Sequence, residues 1–523
     1  MATDREVAVT HPKGEQQLIP GGALDQGSSV DTYGGTVRVK WDEDAAVTPF
    51  GQLAFFIEFL KTAGLWDRWV EECPVTYTSP NAPAKADILG TILLSVLAGH
   101  RRYAHITALR FDGVNPQLLG MTKVASEDSV RRAFSGVEEA PCTEWLTRHL
   151  RNSYEPLLRE PWILDIDSTV KPLYGHQEGA VKGYNPGKPG RPSHVYHTYF
   201  AATIRLVLDV EVQAGNQTAS SYAQPELWKF IDSLPAAARP AFVRGDCGWG
   251  TEKMMVEAVG QKLAYLFKLK QSSKVKRLIQ QAFSRQDWVE AGQGWKGIEA
   301  ELALTGWTRQ RRVIVLRRRI PDDLVLAERK RLAGTTPQEQ LALGFVETAK
   351  DGPLYEYAVL VTSLPDEILT LAQHYRDRAD AENNFDELKN QWGWRGFTTH
   401  DLKRCQIMAR IIALIYNWWS LFVRLAIPDK HAEAITSRPL LLNAVGKQTT
   451  HSGQTTVTVT SLHAKAPQMR SALQAVSSFL GTLRNAAEQL TCSQKWLLIL
   501  SRVFCQFLKG RILGQPQFIP ASP

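Results

Sequence analysis

Apolar residues recur at helical spacing through residues 50–158. Leu53, Phe56, Ile57 and Leu60 share one face of a first segment, and Ile88, Ile92, Leu93 and Val96 share one face of a second, which predicts a helical region. Within it, residues 104–110 and 126–134 flank a Gly/Pro-bearing connection and read either as a helix-turn-helix or as an ordinary helical pair. Ser126 suits an N-cap, acids fill the first turn after it, and Arg131 and Arg132 stand ready for phosphates in the first of those readings. The texture then changes. Residues 162–170 read as a buried strand and 196–203 as a second. Leu206, Leu208, Val210 and Val212 alternate as a third. A helix over 225–234, a strand over 241–246, a helix after Gly250 and a strand over 263–269 complete the order β-β-β-α-β-α-β.

That order predicts an α/β, RNase H-like sheet, in which a hairpin-joined trio of strands is extended by crossover strands and carboxylates gather at strand ends. Residues 1–45 hold eight acidic and four basic residues, six Gly, and only Tyr33 and Trp41 as aromatics, so they are expected to form a flexible arm. The segments that follow are a helical, DNA-binding region (46–158), the first part of the core (159–274), a β-rich basic insertion (275–366), the second part of the core (367–427) and a mainly helical C-terminal region (428–523). A hairpin is expected over residues 448–462. The longest apolar stretch, 407–423, is interrupted by Arg410, Asn417 and Ser420. With Gln406 and Arg424 these form one polar stripe at helical spacing, which predicts a buried helix of a soluble protein and not a membrane span.

Composition adds limits. A chain of 523 residues, 44% hydrophobic and 22% charged, is long enough for several domains and lies in the range of soluble globular proteins. Six scattered cysteines without metal-ligand spacing argue against zinc and against a disulfide scaffold, and the N-terminus has no secretory pattern, so a cytoplasmic, nucleoid-associated location is expected. The net charge of +8 favours a polyanionic partner. It is concentrated between Lys262 and Arg319, where 14 Lys/Arg face four Asp/Glu. Arg311, Arg312, Arg317 and Arg318 lie there around a β-branched centre, with Trp288, Trp295 and Trp307 nearby. The segment predicts a cationic β surface able to follow phosphates, and its Trp rings either pack the insertion or receive an unstacked base.

The candidate chemistry lies in carboxylates. If residues 375–389 form one helix, Tyr375, Arg378, Glu382 and Lys389 fall within about 60° of one another, beside an apolar sector of Ala381, Phe385, Leu388 and Trp392. Such a stripe is either an exposed salt-bridged face or a cleft lining in which Glu382 binds metal while its neighbours hold phosphates. Asp167 lies in the first strand and Asp246 ends the fourth. Asp165 shares the face of Asp167 as its i,i+2 neighbour, so the strand alone leaves the first acid open between them. His194 and His197, near the second strand, are expected to be structural.

Tyr375, Arg378, Glu382 and Lys389 match Y-x2-R-x3-E-x6-K at every position, Asp167-Ser168-Thr169 matches D-[ST]-T, and Arg244-Gly245-Asp246 matches the acid ending a fourth strand. The chain thus resembles the DDE transposases of bacterial insertion sequences that carry a Y-R-E-K signature. The stretches at 174–180, 183–186 and 190–193 extend the likeness. The resemblance implies Asp167, Asp246 and Glu382 as catalytic and metal-binding residues, with Asp165 in a supporting place. It also implies two Mg²⁺ ions, for which Mn²⁺ can substitute, and contacts from Tyr375, Arg378 and Lys389 to transposon-end phosphates. Arg131, Arg132, Arg311, Arg312, Arg317, Arg318 and Trp307 are the further DNA-contact candidates. The implied partners are terminal inverted repeats and target DNA, gripped by a homodimer, and no membrane. Two other functions compete: a catalytically inactive, transposase-derived DNA-binding protein, and an RNase H-like nuclease without joining activity.

Overall fold

The computed structural model describes residues 28–77, 79, 81–320, 345–347, 354–461, 464–487 and 489–514. The chain divides into two compact units, Met1–Ala46 and Val47–Pro523. In the first, strands β1 (Ser28–Thr32) and β2 (Gly35–Val39) pair antiparallel as a hairpin. Part of the expected arm is therefore strand, while its residues 1–27 lie outside the described residues.

The second unit is built on one sheet of eleven strands. Its centre consists of β4 (Ile163–Pro172), β6 (Pro192–Ala201), β7 (Leu206–Ala214), β8 (Phe242–Gly245) and β9 (Ala264–Lys268), in the spatial order β7-β6-β4-β8-β9. The first three run antiparallel by direct connection. β4, β8 and β9 are parallel and reached by crossovers. A short β5 (Val181–Lys182) also pairs with β6. The strands from the expected insertion do not stand apart. β10 (Val289–Gly292), β11 (Trp295–Leu302), β12 (Arg311–Arg319), β13 (Phe345–Glu347) and β14 (Leu354–Thr362) continue the same sheet, because β14 pairs antiparallel with β9 at Leu360–Lys268 and Val361–Phe267. β9 would otherwise present an apolar open edge, and β14 covers it.

Helices α1 (Leu53–Thr62), α2 (Leu65–Glu71), α3 (Lys85–Leu97) and α4 (Glu139–Tyr154) make the expected helical region. The helix-turn-helix does not form. Tyr103–Phe111 is a 3₁₀ helix, and the α-helix Glu127–Arg132 has only six residues, too short to lie along a groove as a recognition helix. Ser126 does cap it, its Oγ accepting from the Ser129 N–H at 3.1 Å. Arg131 and Arg132 are occupied locally by Glu127 and Asp128, at 3.6 and 3.1 Å. The crossovers carry α5 (Pro225–Ser233) and α6 (Glu252–Gly260), and α7 (Ser273–Ala282) follows β9. Beyond β14 come α8 (Ile368–Arg376), α9 (Arg378–Asn390), α10 (Leu402–Ala426), α11 (Ala434–Leu441), α12 (Ala466–Arg484) and α13 (Cys492–Val503). The expected hairpin forms as β15 (Gly446–His451) and β16 (Gln454–Val459), with β3 (Val47–Thr48) beside it; residue 462 lies outside the described residues.

α10 is the axis of the core. It is long and apolar enough to cross a membrane by length and composition, yet its apolar window is packed entirely inside the protein. Trp418 meets Trp69 edge-on at 5.4 Å, and Trp69 stacks on Trp145 at 5.6 Å, which joins α10 to α2 and α4. Its polar stripe has a specific use. β7 is hydrogen-bonded to a strand on one side only, and the stripe serves its other edge. Asn417 Oδ1 accepts from the Val207 N–H at 2.9 Å and its Nδ2 donates to the Val207 carbonyl at 2.8 Å, while Gln406 Nε2 donates to the Val210 carbonyl at 2.6 Å. Arg410 holds Asp209 through two bonds of 2.8 and 3.0 Å. Edge groups that would be buried without partners are thereby paired.

Next to Asp209, Glu211 is buried and accepts from Tyr222 at 2.7 Å and from Tyr199. Burial raises its pKa to about 7, against the opposing effect of the tyrosine hydrogen bonds and Arg410. Between about pH 4.5 and 7 the folded chain therefore keeps a proton that the unfolded chain releases, so this group's contribution to stability falls as pH rises through that window. Glu211→Gln is expected to remove the fall. The difference in unfolding free energy between Glu211→Gln and parent, measured by denaturant titration at pH 4.5 and pH 7.5, should shift in favour of the variant by up to ~3 kcal/mol at the higher pH; a difference independent of pH contradicts it.

Candidate active site

The site begins with strand register. β4 and β8 are parallel, with Asp165 opposite Arg244 and Ile166 opposite Gly245, so Asp167 and Asp246 stand one step further along their strands. β8 ends at Gly245 and Asp246 emerges into the turn, its Oδ1 accepting from the Gly248 N–H at 2.9 Å. Gly245 permits this turn. A Cβ there would lie 2.9 Å from Trp249 Cβ and 3.0 Å from Ile166 Cγ1, so any larger residue would push Asp246 away from β4.

The single helix expected over 375–389 is broken at Asp377, which separates α8 from α9. Tyr375 closes α8, half-buried against the sheet. Arg378, Glu382 and Lys389 belong to α9, whose Ala381, Phe385 and Leu388 form the buried side, as their spacing requires, with Trp392 buried just past its end. The stripe is thus mixed: Arg378 is buried and Lys389 partly so, while Glu382 is exposed and pairs with Arg378 at i,i+4. The Arg378 side chain is 3% exposed and bridges two carboxylates, with Nη2 3.3 Å from Asp167 Oδ1 and Nη1 bonded to Glu382 Oε1. Lys389 Nζ stands 3.5 Å from Asp167 Oδ2. Glu382 is itself largely exposed, and Asp246 lies near enough to act electrostatically on Asp167, Tyr375 and Arg378.

These placements shift the titrations in consistent directions. Burial holds Asp167 above the usual carboxylate range, with Lys389 and Arg378 pulling it back and Asp246 pushing it further up. Burial likewise raises Tyr375, which keeps its phenol protonated. Arg378 is moved down by burial and up by Asp167 and its neighbours, and the carboxylates prevail, so it stays charged. Among the described residues no three His, Cys, Asp or Glu side chains already stand as a metal-binding group. Arg378 supplies positive charge between two carboxylates, Asp167 and Glu382, and Asp246 acts on the same guanidinium electrostatically; oxygen donors of this kind are those a hard divalent cation takes.

The choice between Asp165 and Asp167 follows from packing. Asp165 is fully buried, and both of its oxygens are taken by Arg244, Nη2 to Oδ2 at 2.9 Å and Nε to Oδ1 at 2.5 Å. Arg244 Nη1 also donates to the His374 carbonyl, so one buried guanidinium ties β4, β8 and the end of α8 together immediately behind the carboxylates. Sequence reasoning passed over Arg244. The available signal was a second acid, two residues before Asp167 on the same face, that needed a buried cation.

The other candidates part company with this site. Arg311 is buried, with both its Nε and Nη2 on Glu252 at 3.1 and 2.9 Å and its Nη1 on the Tyr265 hydroxyl at 2.9 Å. It anchors β12 to α6, which removes it from the expected cationic surface. Arg312 donates to Glu299 at 2.7 Å and to the Asp366 carbonyl at 3.0 Å. Arg317 lies 3.8 Å over Trp288. Arg318 pairs with Glu356 and covers Trp295 at 5.0 Å, and Trp307 lies under Arg311 at 5.8 Å. All three Trp rings are thus half-buried and covered by arginine. The exposed cations of the segment include Lys274 and Arg277 on α7, and Arg309. His194 and His197 are buried and bond the carbonyls of Glu178 and Gln217, at 2.7 and 2.8 Å.

No curated protein matches this chain. Among solved structures, a piggyBac transposase synaptic complex with hairpin DNA overlaps 91% of this chain and 87% of its own, at 10% identity and a TM-score of 0.36, a likeness too low to argue from. The family model described as transposase DDE domain group 1 matches residues 83–479. That match covers most of the chain and includes β4, β8 and α9 with the three acids they carry, and the protein belongs to the transposase DDE domain family, group 1.

Proposed function

We propose that this protein is a cut-and-paste DNA transposase of the Y-R-E-K type, with an RNase H-like core that binds the terminal inverted repeats of its insertion sequence, cleaves there and joins the ends to target DNA. The observation that carries the reading is the bridging of Asp167 and Glu382 by Arg378, beside Asp246. The β7-β6-β4-β8-β9 order, antiparallel on one side and parallel on the other, supports the assignment of the core.

In this reading Asp167, Asp246 and Glu382 hold two divalent ions, Mg²⁺ in the first instance. Bound there, such ions activate the attacking water or 3′ hydroxyl and neutralise charge at the scissile phosphate. The chain's own groups do the rest. Asp165 and Arg244 keep β4 and β8 in register behind the carboxylates. Arg378 and Lys389, now turned to Asp167, are the cations nearest to an incoming phosphodiester, and transfer of their bonds to phosphate oxygens frees the carboxylates. Tyr375 keeps its proton, and its hydroxyl can donate a hydrogen bond to a phosphate oxygen. Two copies of the chain grip the paired ends.

The test is to incubate the full chain with linear DNA ending in the element's inverted repeats, a supercoiled target plasmid and Mg²⁺. Joined products are the expected result. Nicks without joining would indicate a nuclease, and retarded complexes without any cleavage would indicate a DNA-binding protein that has lost the chemistry; either outcome overturns the proposal.

A further inference from the structure

Away from the carboxylates lies a cleft with a volume of 580 Å³. It opens between the end of α10, the connection to α11, the end of α13 with the turn after it, and the turn joining β6 to β7. Its lining includes Arg205, Arg424, Lys430 and Arg502, against a single carboxylate, Asp429. A volume of this size matches that of small-ligand sites, but four cations and one acid mark the ligand as an anion.

Three of these cations have not been neutralised from within. Arg424, Lys430 and Arg502 have no carboxylate within ion-pair distance among the described residues. Arg424 lies instead over the Phe504 ring at 4.9 Å and Arg502 over Phe479 at 5.6 Å. Burial pulls the Arg424 guanidinium down to about 10, and the positive charge of Arg205 adds to that effect. A desolvated guanidinium without a carboxylate opposes folding, and the opposition lessens when an anion enters beside Arg424. Two buried arginines elsewhere are paired with acids, Arg244 with Asp165 and Arg410 with Asp209.

The cleft is also joined to the catalytic helix. His431, in its wall, stands 3.5 Å from Glu387 Oε2. Glu387 belongs to α9, five residues beyond Glu382, and its Oε1 fixes the Ala434 N–H at 2.8 Å and the Trp392 indole at 3.0 Å.

We infer that this cleft is a second DNA-backbone site, taking the phosphates of a strand through Arg424, Lys430 and Arg502. The inference rests on the reading that the protein acts on DNA, and it deepens that reading by adding a contact that no family likeness supplied. DNA is favoured over an acidic protein segment because the cations are spread around a concave wall with exposed Lys430 and Arg502 at its surface, an arrangement that follows a chain of phosphates.

The experiment compares full-length parent with Lys430→Gln/Arg502→Gln, both exposed positions whose loss leaves the core untouched, and with Arg424→Gln and the charge-keeping Arg424→Lys. Binding of a fluorescent random-sequence duplex is measured across a salt series. The double variant is expected to bind about tenfold more weakly at moderate salt, with the slope of log affinity against log salt reduced by about 1.8 for two lost phosphate contacts. Arg424→Gln should add to the loss and Arg424→Lys should restore most of it. Unchanged affinity and slope in the double variant overturn the inference. So does an unchanged DNA curve combined with loss of poly-glutamate binding, which would reassign the cleft to an acidic protein. Joining by the parent with no effect of the cleft variants rejects the cleft alone, while a reduced slope in the double variant of a parent that never cleaves rejects the transposase reading alone.

Discussion

Asp246→Asn is expected to bind end DNA with nearly parental affinity and to lose metal-dependent cleavage by ~10³-fold or more. The substitution keeps size and shape, and the Gly248 N–H that now bonds Oδ1 can bond the amide oxygen, so the turn after β8 should persist. What disappears is one negative charge at the point where β8 ends beside Asp167. The charge matters because Arg378 and Lys389 already offset Asp167, and further cations can be held only if all three carboxylates contribute. A gel assay of strand cleavage, with binding measured separately, decides the matter. Cleavage at the parental rate by a preparation free of wild-type protein would sink the assignment of Asp246.

Arg378→Ala is the second large effect, and its readout is stability. The guanidinium is buried and serves two carboxylates, one of them, Asp167, largely buried. Its removal leaves Asp167 with Lys389 as the remaining cation within ion-pair distance and Asp246 close enough to repel it. Loss of one partner from a buried ion pair costs about 3 to 5 kcal/mol, and Lys389 should hold this case near the lower figure. The expected result is a drop of ~3 kcal/mol in unfolding free energy in EDTA. Addition of Mg²⁺ should return more stability to the variant than to the parent, because the divalent ion enters the place that the guanidinium held. Denaturant titrations with EDTA and with Mg²⁺ measure both quantities. A variant as stable as the parent in EDTA, or one that Mg²⁺ leaves unchanged, contradicts the view of Arg378 as the resident counter-cation.

Much of this site could be read from local pattern. Alternation in β4 and β8 and helical spacing in α9 are short-range properties, and they assign Asp167, Asp246 and Glu382 to the strands and helix that carry them. The polar stripe of α10 was equally visible, although its purpose, the service of the β7 edge by Gln406 and Asn417, needed the neighbouring strand. The basic segment misled for a definable reason. Charge counting places Arg311 and Arg312 on a surface, but the partner that buries Arg311 is Glu252, on another helix 59 residues earlier. The break at Asp377 was hidden because residues 375–389 contain neither Pro nor Gly to announce it. The short Glu127–Arg132 helix had its cap in plain view at Ser126, whereas its length did not follow from the cap.

By itself, the sequence determined the periodicities, the order of strands and helices, and the supply of acids, cations and aromatics, since these depend on residues a few places apart. The tertiary structure alone decided which cation meets which carboxylate: Arg244 for Asp165, Arg378 for Asp167 and Glu382, and, among the described residues, no acid within ion-pair distance for Arg424. The reason is that electrostatic pairing falls off with distance in space and ignores distance along the chain. Arg378 and Asp167 are 211 residues apart in sequence and 3.3 Å apart in the fold.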